Sequence, residues 1–227
     1  FSIMKPVTSL YLAIIVLALT IPSGAAENPG PGRLLFDSSV TTGTDNWSFA
    51  DPAAWKTGME EENGLVLRLE GASAYQPKVR SPFNIAWLAE PQPSSFILEV
   101  EAKSTSREYP HRDLCFFFGR RSDTEFYYVH IATASDPHAN SIFLVDSADR
   151  ISIAGKRTDG TKWTDGKFHK VRIERNSVSG RILVFFDDMR TPIMEASDTT
   201  FSTGNIGLGS FDDVGEFRNL KIYELPE

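Results

Sequence analysis

Phe96-Ile97-Leu98-Glu99-Val100-Glu101-Ala102-Lys103 alternates strictly from its second residue pair onward between apolar and charged side chains. Phe96, Leu98, Val100 and Ala102 share one side of an extended chain, and Ile97, Glu99, Glu101 and Lys103 share the other. Successive side chains of a strand point to opposite faces, so the pattern describes a strand with one dry and one wet face. A helix would repeat its apolar residues at three- and four-residue spacing instead.

The same period recurs on both sides of this stretch. Leu65, Leu67 and Leu69 alternate with Val66, Arg68 and Glu70, and His169, Val171 and Ile173 alternate with Lys170, Arg172 and Glu174. Residues 114–118, 126–131, 142–145 and 182–186 are apolar on both faces and read as central strands covered on both sides. Residues 206–210 and 217–223 supply the last two strands. Turn residues separate them: Ser147-Ala148-Asp149, Thr158-Asp159-Gly160, Thr164-Asp165-Gly166 and Asn176-Ser177-Val178-Ser179-Gly180. About a dozen short strands with no amphipathic helix predict an all-β fold, a two-sheet antiparallel β-sandwich or a barrel.

The N-terminal residues have a different character. Lys5 precedes an apolar stretch over 10–21, which Pro22-Ser23 breaks before Gly24-Ala25-Ala26. A positive flank, a short apolar centre and small residues before a cut site make residues 1–26 a signal peptide cleaved after Ala26. The alternative is a retained anchor, although about a dozen apolar residues are few for a bilayer span. Residues 27–34 read as a flexible leader and 35–227 as a single β-sandwich domain. The expected location is therefore outside the cytoplasm: periplasmic, cell-surface or extracellular.

Composition narrows the partners. The formal net charge of −7 over 227 residues repels phosphate backbones and anionic membranes, so neither nucleic acid nor a membrane surface is expected. The single cysteine, Cys115, cannot form an internal disulfide and lies in the apolar run Leu114-Cys115-Phe116-Phe117-Phe118, where it reads as a buried thiol.

The C-terminal segments carry a resemblance. Thr203-Gly204-Asn205-Ile206-Gly207-Leu208-Gly209-Ser210 followed by Phe217-Arg218-Asn219-Leu220-Lys221-Ile222-Tyr223 resembles the closing strands of laminin-G-like domains and of the DUF1080 (3-keto-disaccharide hydrolase) family. Trp163, Phe168-His169-Lys170-Val171-Arg172-Ile173 and residues 180–187 resemble the middle strands of those families. The resemblance implies the concanavalin A-like lectin/glucanase jelly roll over roughly Leu35 to Tyr223. It also implies a polysaccharide or oligosaccharide partner, with lectins, glycosidases, lyases and protein-interaction modules all represented. Calcium-binding relatives often carry an Asp near the start of the last strand, where this chain has Arg218. No metal and no cofactor is therefore expected, although Asp187-Asp188 and Asp212-Asp213 offer hard oxygen ligands for calcium.

Three polar clusters could carry chemistry. Glu108-Tyr109-Pro110-His111-Arg112-Asp113 runs into the strand at 114–118, Tyr127-Tyr128-Val129-His130 lies on a strand, and Asp136-Pro137-His138-Ala139-Asn140 lies in a loop. Parity places Tyr127, Val129 and Ile131 on one face and Phe126, Tyr128 and His130 on the other. On the functional reading Tyr128 and His130 line an open concave sheet with Arg112 on a neighbouring strand, resembling the Arg, His and Tyr set of jelly-roll lyases. Tyrosine stacks on sugar, histidine moves a proton and arginine pairs with a sugar carboxylate. His130, Tyr128 and Arg112 are the expected catalytic residues, and His111, Asp113, His138 and Asn140 the expected ligand-binding residues. The alternative makes His130 a hydrogen-bonded inner-face residue and Arg112–Asp113 a structural ion pair. Glu99 and Glu101 share a wet strand face, but the run continues into Ser104 where glucanases of this superfamily carry a third acid. Binding and catalysis remain two open readings at this stage.

Overall fold

The computed structural model describes residue 1, residues 32–163 and residues 165–226. The segment read as a signal peptide, and most of the leader, lie outside the described residues. Among those described, no helix is long and apolar enough to cross a membrane.

Among the described residues, sixteen strands build two sheets, and every pairing is antiparallel. The larger sheet contains β1 (Leu34–Asp37), β3 (Trp55–Glu60), β4 (Gly64–Leu69), β6 (Phe96–Ser104), β11 (Ala154–Arg157), β12 (His169–Arg175), β13 (Arg181–Phe186), β14 (Met194–Ser197) and β16 (Gly215–Glu224). Its order is β11-β14-β13-β12-β6-β16-β4-β3, with β1 also paired to β16. The smaller sheet runs β10 (Ile151–Ser152), β9 (Ser141–Asp146), β8 (Glu125–Ala132), β7 (Asp113–Ser122), β15 (Asn205–Ser210), β5 (Asn84–Leu88) and β2 (Trp47–Phe49).

The opening stretch is β6, and it lies at the centre of the larger sheet between β12 and β16. Phe96, Leu98, Val100 and Ala102 turn into the core, as alternation requires. They meet Leu65, Leu67, Leu69, Val171 and Ile173 from their own sheet, and Phe116, Phe118, Tyr127, Val129 and Leu208 from the other. A Phe buried this completely contributes about 1.5–3 kcal/mol relative to an exposed one. The outer face of the larger sheet is charged and laced with ion pairs, including Lys170–Glu99 at 2.9 Å and Arg218–Glu101 at 2.7 Å.

The glycines of β15 have a steric cause. A Cβ on Gly209 would lie 1.8 Å from the Asn84 carbonyl oxygen of the adjacent strand. The neighbouring backbone leaves room for hydrogen alone. At the other end, Gly32 N–H donates to Glu224 O at 3.1 Å, so the last part of the stretch read as a leader is tied to the final strand.

Candidate functional site

Strand β8 obeys the expected parity. Tyr127, Val129 and Ile131 belong to the core between the sheets, and Phe126 and Tyr128 to the opposite face. That opposite face is not an open trough. Ile85, Trp87, Cys115, Phe117, Phe126, Tyr128, Phe143 and Val145 form a second apolar layer on it, with Ala50, Val79 and Phe211 packed against it. The segment over residues 71–83 and the turn after β9 close across this layer. Arg80 N–H donates to Asp149 Oδ1 at 2.8 Å, and Arg150 N–H to Arg80 O at 3.1 Å. Arg150 then lies over the rings of Phe143 and Phe211 and donates to Tyr128 Oη at 2.7 Å.

This corrects the sequence reading of the site. Tyr128 is 0% exposed and His130 3%, so neither can touch a glycan in this conformation. Arg112 precedes β7, is buried, and turns to Ser104, donating to its Oγ at 2.8 Å and its carbonyl at 2.6 Å. No ion pair joins Arg112 to Asp113 among the described residues. Asn140 is also fully buried: its Nδ2 donates to Thr158 O at 2.9 Å, and its Oδ1 accepts from Ala132 N–H and Thr161 Oγ1. Of the seven expected site residues, only His111 and His138 stand exposed.

His130, Asp113 and Cys115 form a closed group. Asn140 N–H donates to His130 Nδ1 at 3.3 Å, which places the ring proton on Nε2. Nε2 faces Asp113 Oδ2 at 3.6 Å. Burial, reinforced by the Arg150 charge, pushes the imidazole pKa down to about 3, so the ring is neutral and this contact is not an ion pair at neutral pH. Burial drives the Asp113 carboxyl well above the usual range. The Phe211 N–H bond opposes that shift and the Asp213 charge adds to it. Burial and the adjacent Asp113 also push the Cys115 thiol well up, so it is no nucleophile.

Beside this group, three loops meet at one end of the sandwich: residues 105–112, 133–140 and 211–214. Thr133 Oγ1 donates to Tyr109 O, and Ala134 N–H to Pro110 O. Tyr109 Oη donates to Asp213 Oδ2 at 2.6 Å, and Asp113 N–H donates to the same oxygen at 2.9 Å. Burial, then the Asp213 bond and charge, raises the Tyr109 hydroxyl and keeps it protonated. Partial burial of its carboxyl, then the Asp213 charge, also raises Asp212, a residue that otherwise stands open to solvent and makes no hydrogen bond among the described residues. On the outside of this end His111 Nε2 lies 2.6 Å from Asp136 Oδ2, and His138 N–H donates to Asp136 Oδ1 at 2.7 Å. Partial burial would raise Asp136, but these two partners outweigh it and hold the carboxyl low.

The other sequence candidates have settled roles. Glu99 and Glu101 border a shallow groove of about 370 Å³ with Lys170, Lys221 and Tyr223, and each is engaged by a cation. Asp187 holds His169 Nδ1 at 2.8 Å and Lys170 N–H at 3.0 Å, and Asp188 caps Arg190 N–H.

No family model matches the chain, and no curated protein matches it. Solved structures do. A carbohydrate binding module, CBM66 from Bacillus subtilis, superposes with a TM-score of 0.55 at 16% identity, over 79% of this chain and 96% of that one. A protein of unknown function with a galectin-like fold from Bacillus subtilis gives 0.53 at 14% identity, over 86% and 97%. The exoplasmic/lumenal domain of VIP36, in a Ca2+/Man3GlcNAc-bound form, gives 0.53 at 12%, over 86% and 89%. The fold is an all-β sandwich of two antiparallel sheets, and these neighbours share its jelly-roll arrangement. At these identities the likeness concerns the arrangement of the strands, and activity must be argued from the side chains.

Proposed function

We propose that this chain is an exported carbohydrate-binding domain that takes an extracellular polysaccharide or oligosaccharide at its loop end. The observation that carries the reading is the sandwich shared with a carbohydrate binding module over nearly that module's whole length. The loop end supports it chemically. Tyr109, His111, His138 and Asp212 offer a ring face, donors and acceptors on one surface, held by the bonds of Tyr109 to Asp213 and of His111 to Asp136. Sugar hydroxyls need such a mixture of fixed polar groups beside an apolar ring.

A catalytic reading, as a hydrolase of the 3-keto-disaccharide type or as a lyase, has one observation in its favour. The exposed His111–Asp136 pair is a histidine oriented by a carboxylate, which is how a general base is held. His130 lacks the access that this role needs.

Affinity electrophoresis of the purified chain against a polysaccharide panel tests both. Retardation by at least one polysaccharide, weakened tenfold or more in Tyr109→Ala with His138→Ala, supports binding. Unretarded migration in every gel contradicts it. Product release that disappears in His111→Ala would move the assignment to catalysis.

A further inference from the structure

The free edges of the two sheets are not alike. β2 and β10 have three and two residues. β1 and β11 each carry a register irregularity, and β11 adds the adjacent cations Lys156 and Arg157. Short strands, bulges and charges guard an edge against pairing with another chain. β3 differs. It runs six residues, Trp55-Lys56-Thr57-Gly58-Met59-Glu60, in unbroken register with β4 and without proline. Among the described residues β4 is its one strand partner. Its two charges are opposite in sign, so they repel only a strand that does not match them.

One bond gives the direction of its free backbone groups. Glu70 N–H donates to Ala54 O at 2.9 Å, immediately before β3. In an antiparallel ladder a residue sends its N–H and C=O to the same side, and the next residue sends them to the other. Lys56, Gly58 and Glu60 therefore bond β4, and Trp55, Thr57 and Met59 turn theirs to the free edge. Trp55 N–H is taken by Pro52 O. Thr57 and Met59 keep outward-facing N–H and C=O groups, and the Met59 side chain beside them is 55% exposed.

The side chains select the strand that fits. Trp55 turns into the core, so Lys56, Gly58 and Glu60 lie on the outer charged face, where Lys56 meets Glu70 and Glu60 meets Arg68. Lys56 and Glu60 stand two residues to either side of Gly58. A second β3 laid antiparallel about a two-fold axis through Gly58 sets Lys56 against the partner subunit's Glu60, and Glu60 against the partner subunit's Lys56. The same register sets Thr57 opposite the partner subunit's Met59, the residues whose N–H and C=O face outward. Gly58 meets its own copy where the ladder is narrowest, at about 4.5 Å between Cα atoms, and no side chain stands in the way. An axis through Thr57 or Met59 keeps the backbone bonds but sets a charged residue against Gly58.

We infer that this chain self-associates through β3, two copies pairing antiparallel about Gly58 and joining their larger sheets into one. The contact is small, so the dimer is reversible. The inference concerns assembly and stands apart from the carbohydrate reading.

Sedimentation velocity of the purified chain from about 1 μM to about 1 mM spans the affinities of small interfaces. The expected result is a monomer–dimer equilibrium. Lys56→Glu alone and Glu60→Lys alone each set like charges opposite one another in both halves of the contact, and should weaken dimerisation about tenfold or more. An equimolar mixture of these two variants regains both opposite-charge pairs and should form a mixed dimer as readily as the native chain. Pairing with a foreign strand gives no such rescue. Thr57→Pro removes an outward N–H and spares the β4 ladder. It should keep the near-ultraviolet circular dichroism of the native chain and lose the dimer, whether or not the charge variants fold. A monomer at every concentration would overturn the inference. So would undiminished dimerisation of Thr57→Pro or of either single reversal, or a mixture of folded reversal variants that stays monomeric.

Discussion

His130 receives the backbone N–H of Asn140 on Nδ1 at 3.3 Å, in a place sealed from solvent. One bond thus decides the tautomer, and burial decides the charge.

The His130 imidazole makes the fold sensitive to pH. Its folded pKa, about 3, lies below the free value of 6.5, so the unfolded chain takes up the proton first as the pH falls. The stability that His130 supports is fully present above pH 6.5 and declines from there towards pH 3. Asp113 acts in the opposite sense: its raised carboxyl favours the fold at low pH and loses that contribution as the pH climbs through its folded pKa. Nitrogen-detected NMR should show an Nε2–H imidazole whose resonances stay constant from pH 8 to pH 4.5. A titration midpoint near 6.5 would mean that the site is open.

Sequence parity placed Tyr128 and His130 on the correct side of the smaller sheet, and what it could not see was the cover. Residues 71–83 carry no periodic pattern, because their work is to lie across another element's apolar face. Val79 packs there, and their backbone is held by Asp149 and by Arg150 N–H. Alternation reports which face a residue takes but not whether a distant loop arrives to bury it. The strands themselves were readable from β6 and β12 because those have one wet face, whereas in β4 Val66 is buried on the face that alternation reads as wet and only Arg68 there reaches solvent. Strand β5, buried at every position, shows no alternation and went unread. The approach of Asp113 to Asp213 depends on contacts a hundred residues apart, for which one sequence holds no local signal.

Cys115 is fully buried and its thiol is pushed up by burial. The native chain should leave a colourless thiol reagent uncoloured for hours and release one equivalent of chromophore on unfolding. Rapid reaction of the native chain would show that the second apolar layer is mobile.

Arg175 is an arginine used as a clamp. Its guanidinium donates to Gly180 O at 2.7 Å, Asp198 O at 2.8 Å and Phe201 O at 3.1 Å, and lies over the Tyr127 ring. Arg175→Met keeps the stem but leaves buried carbonyls unsatisfied, and should cost about 3 kcal/mol or more in urea unfolding. Arg175→Lys should also destabilise, because an ammonium does not reproduce the planar fork. A loss under about 0.5 kcal/mol in both would contradict the clamp.

Gly209→Ala should destabilise by about 3 kcal/mol or prevent folding, because its Cβ would meet the Asn84 carbonyl at 1.8 Å. Unfolding midpoints of Gly209→Ala and of Gly43→Ala, where a Cβ meets nothing within 4 Å, give the comparison.

On the proposed reading, sugar is met at the loop end and not on the sheet face that carries the buried Tyr128. Amide chemical-shift mapping with an oligosaccharide from the best-retarding polysaccharide addresses this most directly. Saturable shifts confined to residues 105–112, 133–140 and 211–214 are the predicted result. Shifts centred on Glu99, Lys170 and Tyr223, or on an opened face around Tyr128 and Phe143, would contradict it.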